Sequence, residues 1–363
     1  MNRTGIYLMI TLTIMFICSS CTSNLLENDL KEAELKGKVK SIKTIEYKAV
    51  EKFGELVKDK CEKTTLRLYN QEGNILEKRE YFSDGSLYYK FICSYDTKGK
   101  LIDKTYKDDK YSRKIKYTYD KNENMIEKST YDENGDILGK AEFSYDKNGN
   151  MIESSLSGLE GREKAKYSYD KNGNKIEKNS YDENGELSGR VKYSYDSKGI
   201  IIEISEYGPA GKLFYRIKYR YDPSGNMTEE YTDYGYNEYL GDQSYTYRRY
   251  NYDKKGNKIE YSIKMDGSEE GKLSYDSKGN LIKKSIRGSE CDNDYYSEIE
   301  YSYDKKGNMI EKNESGYFGE NYCEKTTYCY DKKGNWIQRV MYSNSGRHSD
   351  QRCEITEREI EYY

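Results

Sequence analysis

The sequence predicts an all-β protein built from tandem antiparallel β-hairpin repeats that form a long twisted or spiral sheet, a β-solenoid-like array. Three observations predict it: a recurring Tyr-Asp phrase, alternation of apolar and polar residues between its copies, and a composition too polar for a thick core. Of the 363 residues, 35% are hydrophobic, 34% are charged and 43 are tyrosine. Tyrosine rings bury a large area while their hydroxyls reach water or the backbone, so this composition fits a thin, tyrosine-lined sheet.

The stretch 169–195 is the clearest copy of the repeat and contains the Tyr-Asp phrase twice. Asp170 and Gly173 stand three residues apart, the spacing of a type I turn that begins at aspartate and ends at a left-handed glycine. Residues 187–195 then alternate between apolar and polar side chains, which is typical of a half-exposed strand. Each phrase therefore predicts a β-hairpin.

Two registers remain open for this hairpin at the sequence level. A two-residue Asn-Gly loop would pair Tyr169 with Ile176, whereas a type I turn with a glycine bulge would pair Tyr169 with Lys175. Copies that read Lys-Lys-Gly lack the asparagine that the short loop prefers, and they favour the bulged turn. The pairing of apolar side chains favours the short loop.

Eleven tyrosines mark the first turn of successive units, and most of them are 24 to 28 residues apart. Each interval holds two strands and two turns. A period of this length indicates stacked units that bury their apolar faces only against their neighbours. The markers are Tyr69, Tyr95, Tyr119, Tyr145, Tyr169, Tyr195, Tyr221, Tyr252, Tyr275, Tyr303 and Tyr330.

The first twenty residues differ from the rest of the chain. Arg3 precedes an apolar run at 6–17, which is too short to span a bilayer and predicts a signal peptide. Two serines directly before Cys21 resemble the lipobox of bacterial lipoproteins, although Cys18 stands where that family usually has leucine. The resemblance implies cleavage before Cys21 and a lipid on its thiol. A plain secretory signal is the alternative.

The lipoprotein resemblance also implies a location. Ser23, rather than aspartate, is the second residue after Cys21, which implies delivery to the outer membrane if the cell is Gram-negative. The predicted organisation is a signal peptide at 1–20, a lipid-anchored tether at 21–37 and a repeat array at 38–363, with caps at 38–68 and 337–363.

The turns resemble a known family. The segments 145–150, 169–174 and 221–226, which read YDKNGN, YDKNGN and YDPSGN, are similar to the YD repeats of the Rhs family. The resemblance covers about 66–337 and implies an antiparallel array wound into a spiral sheet, in an extracytoplasmic protein that binds carbohydrate or protein. Large members enclose a toxin released by an autocleavage motif. That motif does not occur in this sequence, so toxin delivery is not implied.

Several function classes are disfavoured. The 61 basic and 64 acidic residues nearly cancel, so we expect no nucleic-acid partner. The single histidine, His348, lies in a predicted exposed loop, and no catalytic or phosphate-binding motif occurs, so we expect neither an enzyme nor a cofactor. The Asp-Lys-Asn-Gly-Asn turns lack the glycine and glutamate spacing of an EF-hand and predict no metal site. Weak cation binding by stacked aspartates is the alternative.

Six cysteines remain after the leader and Cys21 are set aside, an even number that permits three disulfides in an exported chain. Cys323 and Cys329 lie six residues apart on one predicted strand, about 20 Å from each other, and cannot bond together. Bridges among the last cysteines, and one between Cys61 and Cys93, are favoured by proximity in the array. The candidate disulfide cysteines are Cys61, Cys93, Cys291, Cys323, Cys329 and Cys353.

The interval after Tyr221 is long and unusually aromatic. Its rings could stack on sugar faces as an exposed binding surface, or they could continue the tyrosine ladder of the core. The candidate ligand-binding residues are Tyr231, Tyr234, Tyr236, Tyr239 and Tyr245. Trp336 occupies the slot filled by an aliphatic residue in other copies and is expected to pack in the core.

The sequence therefore predicts a cell-envelope lipoprotein whose array binds a glycan or another protein. The alternative is a structural spacer or scaffold without a ligand of its own. An enzyme that acts on polysaccharide is a remote third possibility.

Overall fold

The computed structural model describes residues 29–158, 161–237, 242–265, 267–290, 293–345 and 352–363. Within these ranges the chain forms one short helix, α1 (Asp29–Glu32), and twenty-four β-strands. No helix in these ranges has the length and apolar character needed to cross a membrane.

The first twelve strands are β1 (Val39–Lys52), β2 (Glu55–Tyr69), β3 (Ile75–Tyr81), β4 (Leu87–Tyr95), β5 (Leu101–Asp108), β6 (Ser112–Tyr119), β7 (Met125–Tyr131), β8 (Ile137–Tyr145), β9 (Met151–Gly158), β10 (Gly161–Tyr169), β11 (Lys175–Tyr181) and β12 (Leu187–Tyr195). The second twelve are β13 (Ile201–Tyr207), β14 (Leu213–Tyr221), β15 (Met227–Asn237), β16 (Asp242–Tyr252), β17 (Lys258–Lys264), β18 (Ser268–Tyr275), β19 (Leu281–Glu290), β20 (Asn293–Tyr303), β21 (Met309–Phe318), β22 (Asn321–Tyr330), β23 (Trp336–Ser345) and β24 (Arg352–Tyr362).

Each strand pairs in antiparallel fashion with the next along the chain, as the tandem hairpins predict. The last strand also pairs with the first: β1 and β24 form nine residue pairs, from Val39 with Tyr362 to Lys48 with Glu354. The sheet is therefore closed. The all-β hairpin architecture is confirmed, while the predicted spiral, solenoid-like arrangement is corrected to a closed sheet. Closure gives hydrogen-bond partners to two edges that an open array would leave unpaired.

The turn register is the bulged one. Tyr169 pairs with Lys175, and Ser168 pairs with Glu177, so Ile176 is the extra residue. The Gly173 amide donates to the Asp170 carbonyl over 3.1 Å, and the φ of Gly173 is +85°. This is a type I turn followed by a glycine bulge, the alternative favoured by the Lys-Lys-Gly copies.

The up-and-down order of the strands separates the turns into two rims. We call the end that carries the eleven turns after the marker tyrosines the YD rim. The segment 29–38 lies at the same rim, because the Leu30 amide donates to the Gly73 carbonyl and the Lys36 amide donates to Asn335 Oδ1 over 2.7 Å. Both the start of β1 and the end of β24 are therefore at the YD rim.

The sheet has two chemically different faces. In β12, Leu187, Val191 and Tyr195 are buried or half-buried, whereas Lys192 and Ser194 on the opposite face are exposed. We call these the tyrosine face and the charged face. Ion pairs cross the strands on the charged face, for example Arg216 with Glu203 at 3.3 Å and Lys164 with Glu153 at 2.9 Å.

Fully buried apolar side chains are few, and they concentrate where the sheet closes. Among the described residues thirteen apolar side chains are buried, and seven of them belong to two clusters on or beside β1 and β24. Ile42 on β1 is 2% exposed, whereas β12 contributes only Val191. The larger cluster contains Leu30, Val39, Ile42 and Tyr69, with Leu35, Ile75, Ile360 and Tyr362 packed against it.

Candidate functional surfaces

The YD phrase is a structural unit in which each residue has a separate role. In the turn 145–150 the Asp146 carboxylate accepts hydrogen bonds from the Asn148 and Asn150 amides at 2.8 and 2.9 Å. The Asn150 side-chain amide donates to the second carboxylate oxygen at 3.0 Å. Aspartate therefore organises the turn from inside, as short polar side chains do in Asx turns.

The marker tyrosines tie each hairpin to the preceding one. In nine units among the described residues, the tyrosine hydroxyl donates to the carbonyl of the first strand residue after the previous YD turn, over 2.6 to 2.8 Å. The hydroxyl of Tyr145, for example, donates to the Met125 carbonyl. A buried ring thus keeps its polar group satisfied while its body packs between strands.

The turn aspartates are engaged by the turn itself. The hydrogen bond from the Asn150 side chain, together with the backbone amides, holds the pKa of Asp146 below its ordinary value of 3.8. Asp170, Asp222 and Asp276 have lowered pKa values for the same reason. In the part of the chain that the structure describes, no group of three or more His, Cys, Asp or Glu side chains is arranged to hold a metal ion.

The aromatic segment at β15 and β16 places part of its predicted site on the charged face. Tyr231 pairs with Lys218 on one side and Tyr247 on the other, which puts its ring on that face. Tyr231 and Tyr245 are 37% and 52% exposed, and their rings stack with centroids 6.0 Å apart and an interplanar angle of 28°. The ring of Tyr247 meets Tyr231 edge-on at 6.4 Å.

An arginine completes this group of rings. The guanidinium of Arg249 lies 4.9 Å from the centre of the Tyr247 ring, and its Nε donates to the Tyr247 hydroxyl over 2.6 Å. Glu229 stands between Arg249 and Arg220, at 3.5 and 3.0 Å. We call Tyr231, Tyr245, Tyr247 and Arg249 the tyrosine–arginine patch. It offers stacking surfaces beside a cation, which is chemistry suited to a polar, flat ligand.

The other predicted binding tyrosines are not all in this patch. Tyr234 is half-buried, and only the backbone of Tyr236 is described. Tyr239 lies outside the described residues. Arg249 was not predicted as a site residue, and the pair of arginines inside the aromatic segment is the sequence signal that could have indicated it.

The remaining predicted site residues fall into two groups. Five candidate disulfide cysteines are free thiols: Cys61, Cys93, Cys323, Cys329 and Cys353. Cys21, Cys291 and His348 lie outside the described residues. Trp336 packs on the tyrosine face, where its ring meets Tyr328 edge-on at 6.5 Å.

Comparison with known sequences identifies one matching family. Residues 8–240, more than half of the chain, match the sequence profile described as Teneurin YD-shell. This match confirms the YD-repeat prediction. Among curated proteins no sequence match is found.

Several solved structures are distantly similar to this chain. A crystal structure titled TcdB2-TccC3-TEV is 13% identical, covers 82% of this chain and 20% of its own, and has a TM-score of 0.33. The Photorhabdus luminescens Tc holotoxin pore is 12% identical, with 84% and 21% covered and a TM-score of 0.32. A porin-like protein from Bacteroides uniformis is 9% identical, with 90% and 98% covered and a TM-score of 0.27. The chain spans about a fifth of the length of the Tc toxin chains it matches.

Proposed function

Because the chain belongs to the Teneurin YD-shell family, we propose that it serves as a structural shell or scaffold of the cell envelope. The observation that carries this proposal is the pairing of β1 with β24, which makes the repeats one continuous hydrogen-bonded wall. A wall of short turns and paired strands is suited to holding a surface in place. This role needs a stable shape and no reacting group.

A matched pair of variants of the tagged full-length protein tests the scaffold role. Ile42→Asp places a charge in the buried cluster at the closing strands and should open the sheet, whereas Lys43→Asp changes the next residue of the same strand, whose side chain is 45% exposed on the charged face. If the closed wall carries the function, envelope proteins recovered with the wild type should be lost with Ile42→Asp and kept with Lys43→Asp. Recovery of the same proteins with both variants would contradict the scaffold proposal.

The lipid anchor at Cys21 is part of this proposal. The sequence supports it, and the position of segment 29–38 gives it a geometric consequence. A tether over 21–37 whose described part lies at the YD rim would hold that rim towards the membrane. The charged face would then extend away from the membrane and be exposed to solvent.

Fractionation of cells tests the anchor. Cys21→Ser should move the protein from the membrane to the soluble fraction and abolish incorporation of a labelled fatty acid. Cys323→Ser, which replaces an exposed free thiol on β22, is the matched control and should change neither. Membrane retention and labelling of Cys21→Ser would reject the anchor without affecting the scaffold role.

The tyrosine–arginine patch supports a second function, the binding of carbohydrate on the charged face. The exposed stacked rings of Tyr231 and Tyr245 favour it, because aromatic faces pack on sugar rings and the nearby Arg249 can hold a sugar oxygen.

A glycan array tests this function. The wild type should bind one or more of the immobilised sugars, and the double variant Tyr231→Ala/Tyr245→Ala should lose that signal. Tyr296→Ala/Tyr317→Ala is the matched control, because those rings are also exposed and stack at 6.4 Å. Equal sugar binding by the two double variants would show that the patch is not the binding site. Binding of a protein instead of a sugar would show that the ligand of this surface is a protein.

A further inference from the structure

Three arginines meet on the tyrosine face around the closing strand β1. Arg358 on β24 pairs directly with Thr44. Arg67 on β2 pairs with Ile42, two residues before Thr44, so it approaches the same place from the other side of β1. Arg339 on β23 pairs with Thr356, two residues from Arg358. Four neighbouring strands thus bring three guanidinium groups and one hydroxyl to one place, which we call the seam cluster.

Parts of this cluster are shielded from solvent and lack hydrogen-bond partners. Thr44 is 7% exposed, and its Oγ1 makes no hydrogen bond within the described chain. The Nε atoms of Arg339 and Arg358 are likewise buried and unpartnered. A buried donor without a partner is costly, so such groups in folded proteins normally meet water or a ligand.

The position of Arg358 is held by packing rather than by a counter-charge. Its guanidinium lies 3.3 Å from the centre of the Trp336 ring. Burial, together with the nearby Arg67 and Arg339, lowers its pKa to about 10. Stacking on Trp336 fixes the plane of the guanidinium and leaves its edge free to donate.

No carboxylate of the described residues forms an ion pair with the three arginines. Glu80, on the same face, already accepts from Lys63 and Lys78 at 2.8 and 2.5 Å. The three positive charges repel one another. Their attraction for an anion is stronger here than in bulk water, because the site is partly desolvated.

We propose that the seam cluster binds a small oxyanion, a phosphate, sulfate or carboxylate group, with Arg358 and Arg339 donating to its oxygens and Thr44 as an additional partner. Guanidinium groups match such anions in charge and in the spacing of their donors. All three arginines are half-buried as residues, so part of each side chain stays accessible from solvent. The site is separate from the tyrosine–arginine patch and does not depend on it.

Thermal unfolding of the full chain at constant ionic strength tests this site. A ligand that binds only the folded state raises Tm with its concentration, so the wild type should melt higher in sodium phosphate or sulfate than in sodium chloride. We expect Arg358→Gln to lose most of this rise and Thr44→Val to lose part of it. Arg220→Gln, whose side chain is 78% exposed on β14, is the matched control and should retain the full rise.

Calorimetric titration of inorganic phosphate and of glucuronate into the folded wild type distinguishes a free ion from an anionic sugar. Saturable binding of either that weakens at least tenfold in Thr44→Val supports the site even if Arg358→Gln folds poorly. Equal Tm values in phosphate, sulfate and chloride, or an equal loss in Arg220→Gln, would overturn it. So would a variant Arg358→Leu that is more stable than the wild type in every buffer, because the arginine would then have no anion to hold.

Discussion

The regular hairpins from β7 to β14 and the seam formed by β24, β1 and β2 use different physical means to hold the same sheet together. The regular hairpins repeat one set of contacts, a turn aspartate and a tyrosine hydroxyl bond in each unit. The seam has a buried apolar cluster, with Val39 0% and Ile42 2% exposed. It also holds Arg339 and Arg358, whose buried Nε atoms have no hydrogen-bond partner among the described residues.

This difference indicates where the stability of a closed repeat sheet is concentrated. Each regular unit contributes a small and similar amount, because it contacts only its neighbours. The seam must hold two ends of the chain together against the entropy of closing a loop of about three hundred residues, and it does so with well-buried side chains. Substitutions at the seam should therefore be more costly than equivalent ones in the repeats.

The largest expected effect tests that statement directly. Ile42→Ala should lower the free energy of unfolding by about 2–5 kcal/mol, because it removes a fully packed side chain from the seam. Ile217→Ala, at a 7% exposed position on β14, should be nearer the lower end of that range, because water can fill the gap in a single-layered sheet. Denaturant titration of both variants measures the difference. An equal or larger loss of unfolding free energy for Ile217→Ala would show that the seam is no more sensitive to substitution than the repeats.

A turn glycine should come next. The φ of Gly149 is +85°, and a side chain there costs about 1–2 kcal/mol because its Cβ crowds the following carbonyl. Gly149→Ala should lower the denaturant midpoint accordingly. Gly139→Ala is the control, since its added Cβ would make only an ordinary 3.5 Å contact with the Ser157 carbonyl. A smaller loss at Gly149 than at Gly139 would contradict the turn assignment.

One tyrosine hydroxyl should be worth less than a turn glycine. Tyr145→Phe removes the 2.8 Å bond to the Met125 carbonyl and keeps the ring, so we expect a loss of about 0.5–1.5 kcal/mol. Tyr111→Phe, at a 67% exposed position, should leave stability unchanged. If the two variants unfold at the same denaturant concentration, the tyrosine bonds do not stabilise the repeats.

One turn should become more stable when glycine replaces the residue at its left-handed position. Glu123 occupies the glycine position of its turn with a φ of 72°, a conformation that glycine adopts without strain. Glu123→Gly should therefore raise the denaturant midpoint, although it gives up exposed ion pairs with Lys98 and Lys100 at 2.9 and 3.3 Å. Glu133→Gly, in the neighbouring hairpin turn where the glycine is already present, should not raise it.

Acid should destabilise the protein by protonating the turn aspartates, and a variant without the Asp146 carboxylate should lack that part of the loss. The pKa of Asp146 is lowered in the folded state, so its carboxylate stabilises the fold above 3.8, and this contribution is lost as pH falls through the folded pKa. Asp146→Asn should keep the turn, because Asn70 makes the same bond to the Asn74 amide at 2.8 Å. The variant should therefore be less stable than the wild type at pH 7, and this difference should shrink as the pH falls below 3.8. An unchanged acid profile would show that the carboxylate is not linked to folding.

Much of the local structure could be predicted from particular residues. Asp170, Gly173 and the alternation after them predicted the turn and its strands, because those features depend on neighbours in sequence. The choice of the bulged register depended on Lys-Lys-Gly copies elsewhere in the chain. Tyr231 and Tyr245 were predicted as candidate binding residues, but their stacking on one another was not, since their common face depends on the register of β15 and β16.

By itself the sequence determined the hairpins, their number along the chain and the residue type at each turn position, since all of these follow from interactions within one or two units. Only the tertiary structure decided that Val39 pairs with Tyr362, which closes the sheet, and that Arg67, Arg339 and Arg358 meet at the seam. The physical reason is that sheet edges are satisfied by any complementary strand. Which strand is available depends on the twist and curvature accumulated over the whole array, and these cannot be predicted from any short segment of the sequence.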